Sequence, residues 1–250
     1  MKPKAGRKRL DHLLVHRGLA DSVQKALAMI LAGEVRVNGN RADKAGMPVA
    51  EDARISVTSR AQKFVSRGGI KLEGALEDFS VDPKGRVCLD VGCSTGGFTD
   101  CLLQHGAARV YGVDVNVEQL DWKLRQDPRV IRIERNARRL QHEDLPEATG
   151  IVVIDVSFIS VSKVIKPGVA VAAPGANFLI LIKPQFELPR EEVGPGGIVQ
   201  DQKLHEKAIL AVRKAAESAG LEVLGVRPSR LLGAEGNQEY FLHARKKTVE

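Results

Sequence analysis

Apolar positions along this chain fall into two regimes. In residues 9–58 they recur first at helical spacing and then in alternation. Leu10, Leu13, Leu14 and Leu19 mark an amphipathic helix that Gly18 closes. Asp21 or Ser22 is placed to cap a second helix, whose apolar face holds Val23, Ala26, Leu27, Ile30 and Leu31, and Gly33 ends it. Val35-Arg36-Val37 then alternates ahead of Asn38-Gly39, a dipeptide suited to a two-residue hairpin turn. Residues 53–58 read as a further short strand. Residues 61–69, within SRAQKFVSRGG, read as a linker, with Gly68-Gly69 breaking the chain before a short helix over 71–77. Asp82-Pro83-Lys84-Gly85 reads as a turn.

From Arg86 onward the apolar residues come in continuous runs. Residues 86–91, 110–115, 130–133, 151–156 and 178–182 each read as a strand buried on both faces. Helical segments lie between and after them, including 99–104 and 204–219, and two more strands are expected over 221–226 and 239–244. This alternation predicts an α/β unit over 70–250, built on a mostly parallel sheet with ligands at the carboxyl ends of its strands. A small α+β unit over 1–60 precedes it.

With 250 residues and 43% hydrophobic content, the chain can fill one large core and a small one. The net charge of +7 favours polyanionic partners, because each phosphate contact releases counterions. The three cysteines, Cys88, Cys93 and Cys101, are odd in number and form no CxxC, and no paired histidines lie nearby. Neither a disulfide framework nor a metal site is expected, and a reducing cytoplasm fits. The basic residues 1–10 precede no apolar stretch, so no secretory signal is read. The most apolar region, 164–182, is interrupted by Lys166, Pro167, Pro174, Gly175 and Asn177, so no membrane span is expected.

The first strand of the α/β unit runs into Asp90-Val91-Gly92-Cys93-Ser94-Thr95-Gly96-Gly97-Phe98. Glycines after a strand let backbone approach a ligand closely. The dinucleotide fingerprint would read G-x-G-x-x-G; here the glycines are 92, 96 and 97, and Asp90 precedes them. A carboxylate there suits a cationic, amino-bearing ligand rather than a pyrophosphate. S-adenosylmethionine, with a sulfonium, an ammonium and no phosphate, is the expected cofactor. Asp114 ends the second strand, where a carboxylate can accept both ribose hydroxyls, with Val115 beside it. Asn136 and Ala137 follow the third strand and are placed to edge the adenine, and Asp155 follows the fourth.

Four residues carry the candidate chemistry. Lys71 follows SRGGI, Asp155 ends IVVID, Lys183 ends LILIK, and Glu239 opens the last strand in GNQEYFL. Singly, a strand-end lysine or aspartate is commonly solvated or salt-bridged. Together, from four segments at one sheet edge, they resemble the Lys-Asp-Lys-Glu tetrad of the FtsJ-like ribose 2′-O-methyltransferases. A ribose hydroxyl is a very weak acid and must lose its proton as it attacks the methyl carbon. Lys183, crowded by Lys71, is expected to hold its proton less tightly and to take or steer the ribose proton. Asp155 and Glu239 hold the lysines and the hydroxyl, and alignment supplies much of the acceleration. Amino-group methylation would call for Asn/Asp-Pro-Pro-Tyr/Phe where this chain has Asp155-Val156-Ser157-Phe158. Cytosine C5 methylation would need a cysteine near strand four or six, and all three lie at strand one and its helix.

RLDHLLVHRGLADSVQKALAMILAGEVRVNG resembles the RNA-binding domain first seen in ribosomal protein S-four. That resemblance implies that Arg7, Lys8, Arg9, Arg17, Lys25 and Arg36 face RNA phosphates; Arg67 joins them from the linker. SRGGIKLEGAL, DVGCSTGGFTD, GVDVNVEQLDWKLR, VVIDVSFISV and LIKPQFE, in this order behind it, resemble the hemolysin A-like TlyA family over nearly the whole chain. The resemblance implies a Rossmann-like class I methyltransferase domain with a seven-stranded sheet. It also implies methylation of ribose on ribosomal RNA, with cytidine as the target and ribosomal subunits as the partner. Cys93 departs from the alanine expected there. The opposing reading is a non-catalytic RNA-binding or assembly factor, or a haemolytic toxin, that has kept the fold.

Overall fold

The computed structural model describes residues 6–57, 63–233 and 235–248, and the chain divides into two units, Met1–Gln62 and Lys63–Glu250. In the first, β1 (Arg7–Arg9) leads directly into α1 (Leu10–His16). Gly18 takes a positive φ of 66° just past that helix. The hydroxyl of Ser22 accepts from the backbone N–H of Lys25 at 3.1 Å and so caps α2 (Val23–Leu31). The Asn38-Gly39 turn, with φ of 50° and 85°, joins β2 (Val35–Val37) to β3 (Asn40–Arg41), matching the two-residue hairpin. Next come β4 (Pro48–Ala50), which pairs antiparallel with β1, and β5 (Ile55–Val57), which pairs with β2. Neither β1 nor β4 was expected: Arg7-Lys8-Arg9 has no apolar residue to alternate, and Pro48 opens β4. Thr58 lies outside the described residues.

Leu10, Leu13, Leu14, Ala26, Met29, Ile30 and Val35 form the core of this unit. Leu27 and Leu31, expected inside, are 42% and 65% exposed, and Leu19 is 37% exposed. A nine-residue helix beside one other helix buries a single stripe, and here Ala26, Met29 and Ile30 occupy it.

The second unit opens with α3 (Arg67–Asp78), capped by Ser66. Gly68 and Gly69, expected to break the chain, instead form the first turn of this helix. A side chain on Gly69 would overlap the Phe64 ring, and one on Gly97 would strike Ser66 Oγ and come within 3.0 Å of the Gly69 nitrogen. These glycines allow close packing. Then follow β6 (Val87–Val91), α4 (Gly97–Gln104), β7 (Arg109–Asp114), α5 (Trp122–Gln126), β8 (Val130–Glu134), β9 (Thr149–Ile154) and α6 (Ser162–Ala170). The chain finishes with β10 (Ala172–Ile182), the single turn α7 (Pro184–Glu187), α8 (Gln202–Ser218), β11 (Leu221–Pro228) and β12 (Tyr240–Lys246).

The strands form one seven-stranded sheet in the order β11-β12-β10-β9-β6-β7-β8. β6 to β10 run parallel, while β12 is antiparallel to both β10 and β11. The continuous apolar runs have a direct cause. Along β9, Val152 and Ile154 enter the core on one face, while Ile151 and Val153 enter the core on the other. Helix α3 and α4 cover that second face, where Leu72 and Leu102 are fully buried. Among the described residues, no helix is long and apolar enough to cross a membrane.

Candidate functional site

Gly92 explains how the loops after β6 and β9 meet. It sits at φ 86°, and its backbone N–H donates to the Val113 carbonyl at 2.8 Å. A Cβ there would collide with the Asp155 carbonyl, so only glycine lets the two loops touch. Asp155 follows β9, and its backbone N–H donates to the Val91 carbonyl at 3.0 Å. A cavity of about 180 Å³ opens here, lined by Arg67, Lys71, Gly92, Cys93, Ser94, Thr95, Gly97, Phe98 and Asp155 among others. A second, of about 500 Å³, shares Gly92, Ser94 and Asp155 with it and extends past Asp114, Val115, Asn136, Ala137 and Phe158.

The four charged candidates resolve into two ion pairs. Lys71, on α3, donates from Nζ to Glu239 Oε2 at 2.5 Å, with side chains only 11% and 3% exposed. Lys183, directly after β10, places Nζ 2.5 Å from Asp155 Oδ1 and donates to Ser157 Oγ at 2.9 Å. The approach to Oδ1 is close but off the hydrogen-bonding direction, so that oxygen lacks an aligned donor. The expectation of two lysines crowding one another meets a different arrangement: each ammonium has its own carboxylate. Lys71 and Asp155 line the smaller cavity, and Glu239 and Lys183 are their respective ion-pair partners.

The residues expected at a cofactor divide by position. Asp114 lines the larger cavity; its Oδ2 accepts from the Ser94 N–H at 2.9 Å and its Oδ1 from the Asn116 N–H at 3.2 Å. Each oxygen keeps a further lone pair for a ribose hydroxyl. Val115, Ala137 and Ile159 give that cavity apolar surface suited to a purine. Asn136 spends its side-chain oxygen on the Arg138 N–H at 3.1 Å. Asp90 lines neither cavity. It is fully buried, accepts from Thr99 Oγ1 at 2.7 Å through Oδ2, and leaves Oδ1 without a partner. Burial pushes its carboxyl up to about 7, against the opposing Thr99 hydrogen bond. Gly96, at φ 94°, is likewise beneath the loop, where any side chain would strike Leu124. Cys93 is buried, and burial pushes its thiol up. The glycine loop, the Asp114 carboxylate and the apolar wall together fit an adenosine group with a cationic tail. Among the described residues, no cluster of His, Cys, Asp and Glu could hold a metal ion.

Several basic residues of the first unit are engaged within it. Arg17 donates to the Ala53 carbonyl at 2.7 Å and also to the Glu51 carbonyl. Arg9 pairs with Asp11 through two hydrogen bonds, at 3.1 and 2.6 Å. Lys8 lies 3.5 Å from Glu51, and Arg36 donates to the Gly39 carbonyl at 3.2 Å. Arg7 and Lys25 are exposed. In the second unit, Arg67 donates to the Leu232 carbonyl at 3.1 Å.

Sequence reasoning passed over three groups that shape this site. Ser157 receives a Lys183 N–H, Phe158 stands 88% exposed at the cavity rim, and Glu187 binds the loop between them and α6. All three lie in VVIDVSFISV and LIKPQFE, but nothing in those strings says that residues 26 apart touch.

A family model described as FtsJ-like methyltransferase matches residues 64–246, and the S4 domain model matches residues 8–55. The 16S/23S rRNA (cytidine-2′-O)-methyltransferase TlyA of Mycobacterium tuberculosis is 46% identical over 98% of this chain and 92% of its own. Hemolysin A of Brachyspira hyodysenteriae is 41% identical over 94% of this chain and 98% of its own. A solved structure from Streptococcus thermophilus, described as a candidate hemolysin, superposes with a TM-score of 0.76 at 37% identity. It covers 97% of this chain and 90% of that one.

Proposed function

The chain belongs to the TlyA family of FtsJ-like methyltransferases, and on that premise we propose that it methylates a cytidine ribose 2′-hydroxyl of ribosomal RNA, with S-adenosylmethionine as donor. One observation carries the chemical part of this reading: Lys71 and Asp155 line one cavity beside Gly92, each ion-paired to a further charged residue. When bound, the cofactor supplies an electrophilic methyl on a sulfonium. Asp114 holds its ribose, and the 92–98 loop holds its amino-acid end.

The remaining work falls to the chain's own side chains. The Lys183 ammonium has three N–H groups, of which one faces Asp155 and one Ser157. The third can hold the target hydroxyl oxygen in line with the methyl. As the C–O bond forms and the methyl–sulfur bond breaks, the ribose proton passes to the Asp155 carboxylate that Lys183 holds. Lys71, fixed by Glu239, sets the opposite wall and keeps positive charge near the developing alkoxide. The first unit supplies RNA affinity through exposed cations, of which Arg7 and Lys25 are the strongest candidates. Residues 1–60 act as the RNA-binding domain and Lys63–Glu250 as the catalytic unit, so that most of the 61–69 stretch read as a linker belongs to the latter. Assembled or nascent ribosomal subunits in the cytoplasm are the natural substrate.

The test is single-turnover methyl transfer to ribosomal subunits by Lys183→Ala, with modified riboses mapped and cofactor affinity measured alongside. The rate should fall about 10²–10⁴-fold, with cofactor affinity nearly intact. Lys183→Arg should not restore it, since a planar guanidinium cannot aim its N–H groups at Asp155, Ser157 and the ribose oxygen as a compact ammonium does. A Lys183→Ala protein at wild-type rate would exclude this pair from the chemistry, and methyl mapped away from a ribose 2′-oxygen would overturn the ribose reading.

A further inference from the structure

The loop between β9 and α6 is held in an unusual shape. Phe158, a bulky aromatic, takes φ 65°, in the left-handed region that L side chains avoid. Its ring is 88% exposed, so burial does not offset the strain. Such a conformation persists only where neighbours over-determine it, and it is often functional.

Ser157, Phe158, Ser160 and Val161 are each contacted from one short segment, Lys183 to Glu187. Lys183 Nζ donates to Ser157 Oγ at 2.9 Å. The Phe186 ring lies 5.4 Å from the Phe158 ring. Glu187 Oε2 accepts from the Ser160 hydroxyl at 2.6 Å, and its Oε1 accepts from the Val161 N–H at 2.8 Å. Ser160 Oγ in turn accepts from the Ser162 N–H at 3.2 Å. Burial pushes the Glu187 carboxyl up, which is a cost the two hydrogen bonds offset. A segment that begins with a site lysine thus grips both ends of the loop.

We propose that Ser157 is a positioning residue whose hydroxyl orients the Lys183 ammonium, and that Glu187 holds the loop so that this hydroxyl stays in place. The inference rests on the ribose-methylation reading above. Asp155 alone fixes the distance of the ammonium but not its rotation, because Oδ1 is approached off the hydrogen-bonding direction. Ser157 Oγ supplies a second, aligned acceptor. Two fixed contacts define where the third N–H points, and that N–H is the one left for the ribose oxygen. Ser157 lies on the rim of the larger cavity, so the loop that carries it also borders the ligand.

The experiment compares Ser157→Ala, Ser157→Thr, Glu187→Ala and Glu187→Gln in the full-length protein. Single-turnover methyl transfer to ribosomal subunits is read beside cofactor and RNA affinity. Ser157→Ala should lose rate by about ten- to a hundredfold, the scale of one charge-assisted hydrogen bond, with both affinities within about twofold. Ser157→Thr should regain most of it, because the hydroxyl returns. Glu187→Ala should reproduce the Ser157→Ala loss, and adding it to Ser157→Ala should cost little more, since both act through one contact. Glu187→Gln should lose less than Glu187→Ala, because its amide can still accept from Val161 and donate to Ser160. A Ser157→Ala rate at the wild-type level overturns the proposal. So does a loss that Thr fails to restore, or one matched by an equal loss of ligand affinity. Lys183→Ala, run in parallel, separates the two readings. If it is inactive while Ser157→Ala is not, only the role of Ser157 falls. If it too keeps full rate, the Lys183-centred account of methyl transfer falls with it, while methyl mapped away from a ribose 2′-oxygen would overturn the ribose reading itself.

Discussion

The two units differ in where they place their cations. In the first, the described arginines and lysines lie at the surface, and Arg9 and Arg17 are committed to their own unit. In the second, Lys71, Lys183 and Glu239 are buried and meet partners 168 or 28 residues apart in sequence. A buried charge costs several kcal/mol unless it is paired, so its presence in a core points to a task. An exposed charge costs almost nothing and so says little about any one residue. The net charge of +7 is a property of the whole chain, whereas the site is a property of four positions.

The sharpest way to break this contrast is to unpair one charge in each unit. Glu239→Ala leaves the Lys71 ammonium buried without a carboxylate and should lower stability by about 3–5 kcal/mol. Glu51→Ala, which frees the exposed Lys8, should cost less than about 1 kcal/mol. Chemical denaturation of both variants checks the difference. Equal losses would mean that the Lys71–Glu239 pair is no more buried in energetic terms than a surface one.

Asp90 sharpens the comparison through pH. Its carboxyl is held up at about 7, against an ordinary value near 3.8 in the unfolded chain. Between those values the folded state keeps a proton that the unfolded state has lost. Stability of the cofactor-free protein should therefore fall as pH rises from about 4 to 7 and level off above, by at most about 4 kcal/mol. Asp90→Asn carries no such proton, so its stability advantage over the wild type should grow across that interval. Parallel unfolding curves at every pH would show that Asp90 does not titrate in this window.

Much of the second unit was legible because physics left it few choices. Strands such as β9 and β10 are buried on both faces and read as unbroken apolar runs. Asp155 and Lys183 interrupt those runs where the strands end, which is why they stood out. Gly68-Gly69 was misread because a glycine needed for a turn and one needed for close packing look identical in sequence; only the Phe64 ring decides between them. Ser157 and Glu187 were passed over for a related reason. A serine after a strand and a glutamate at a helix end are ordinary until the fold brings them onto the same loop.

A third test asks whether exposure or pairing governs ligand contacts. Asp114 is half-buried and already accepts two backbone N–H groups. Asp114→Ala should weaken cofactor binding by about 1.5–3 kcal/mol, measured by calorimetry on folded protein. Unchanged affinity would remove it from the site. The smallest effect is expected in the first unit. Lys25→Ala should reduce the salt dependence of RNA binding by about one counterion with no loss of stability. Arg17→Ala should instead destabilise that unit by about 1 kcal/mol, because it removes a brace between α1 and the 51–53 turn. If Arg17→Ala shifts only the salt slope, the brace is incidental and the arginine faces RNA after all.

The Lys71–Glu239 pair has one more consequence, and it concerns timing. It joins the first helix of the second unit to the threshold of its last strand, closing a loop of 168 residues. Closing so long a loop costs more chain entropy than closing a short one and slows folding. β12 must slot between β10 and β11 before Glu239 can reach the lysine. Until that strand arrives, a chain that has its glycine loop and Asp155 in place leaves Lys71 without its carboxylate. Stopped-flow refolding should show secondary structure and cofactor binding returning before activity does. Activity that returns together with the first cofactor-binding phase would place the closure of this loop early instead.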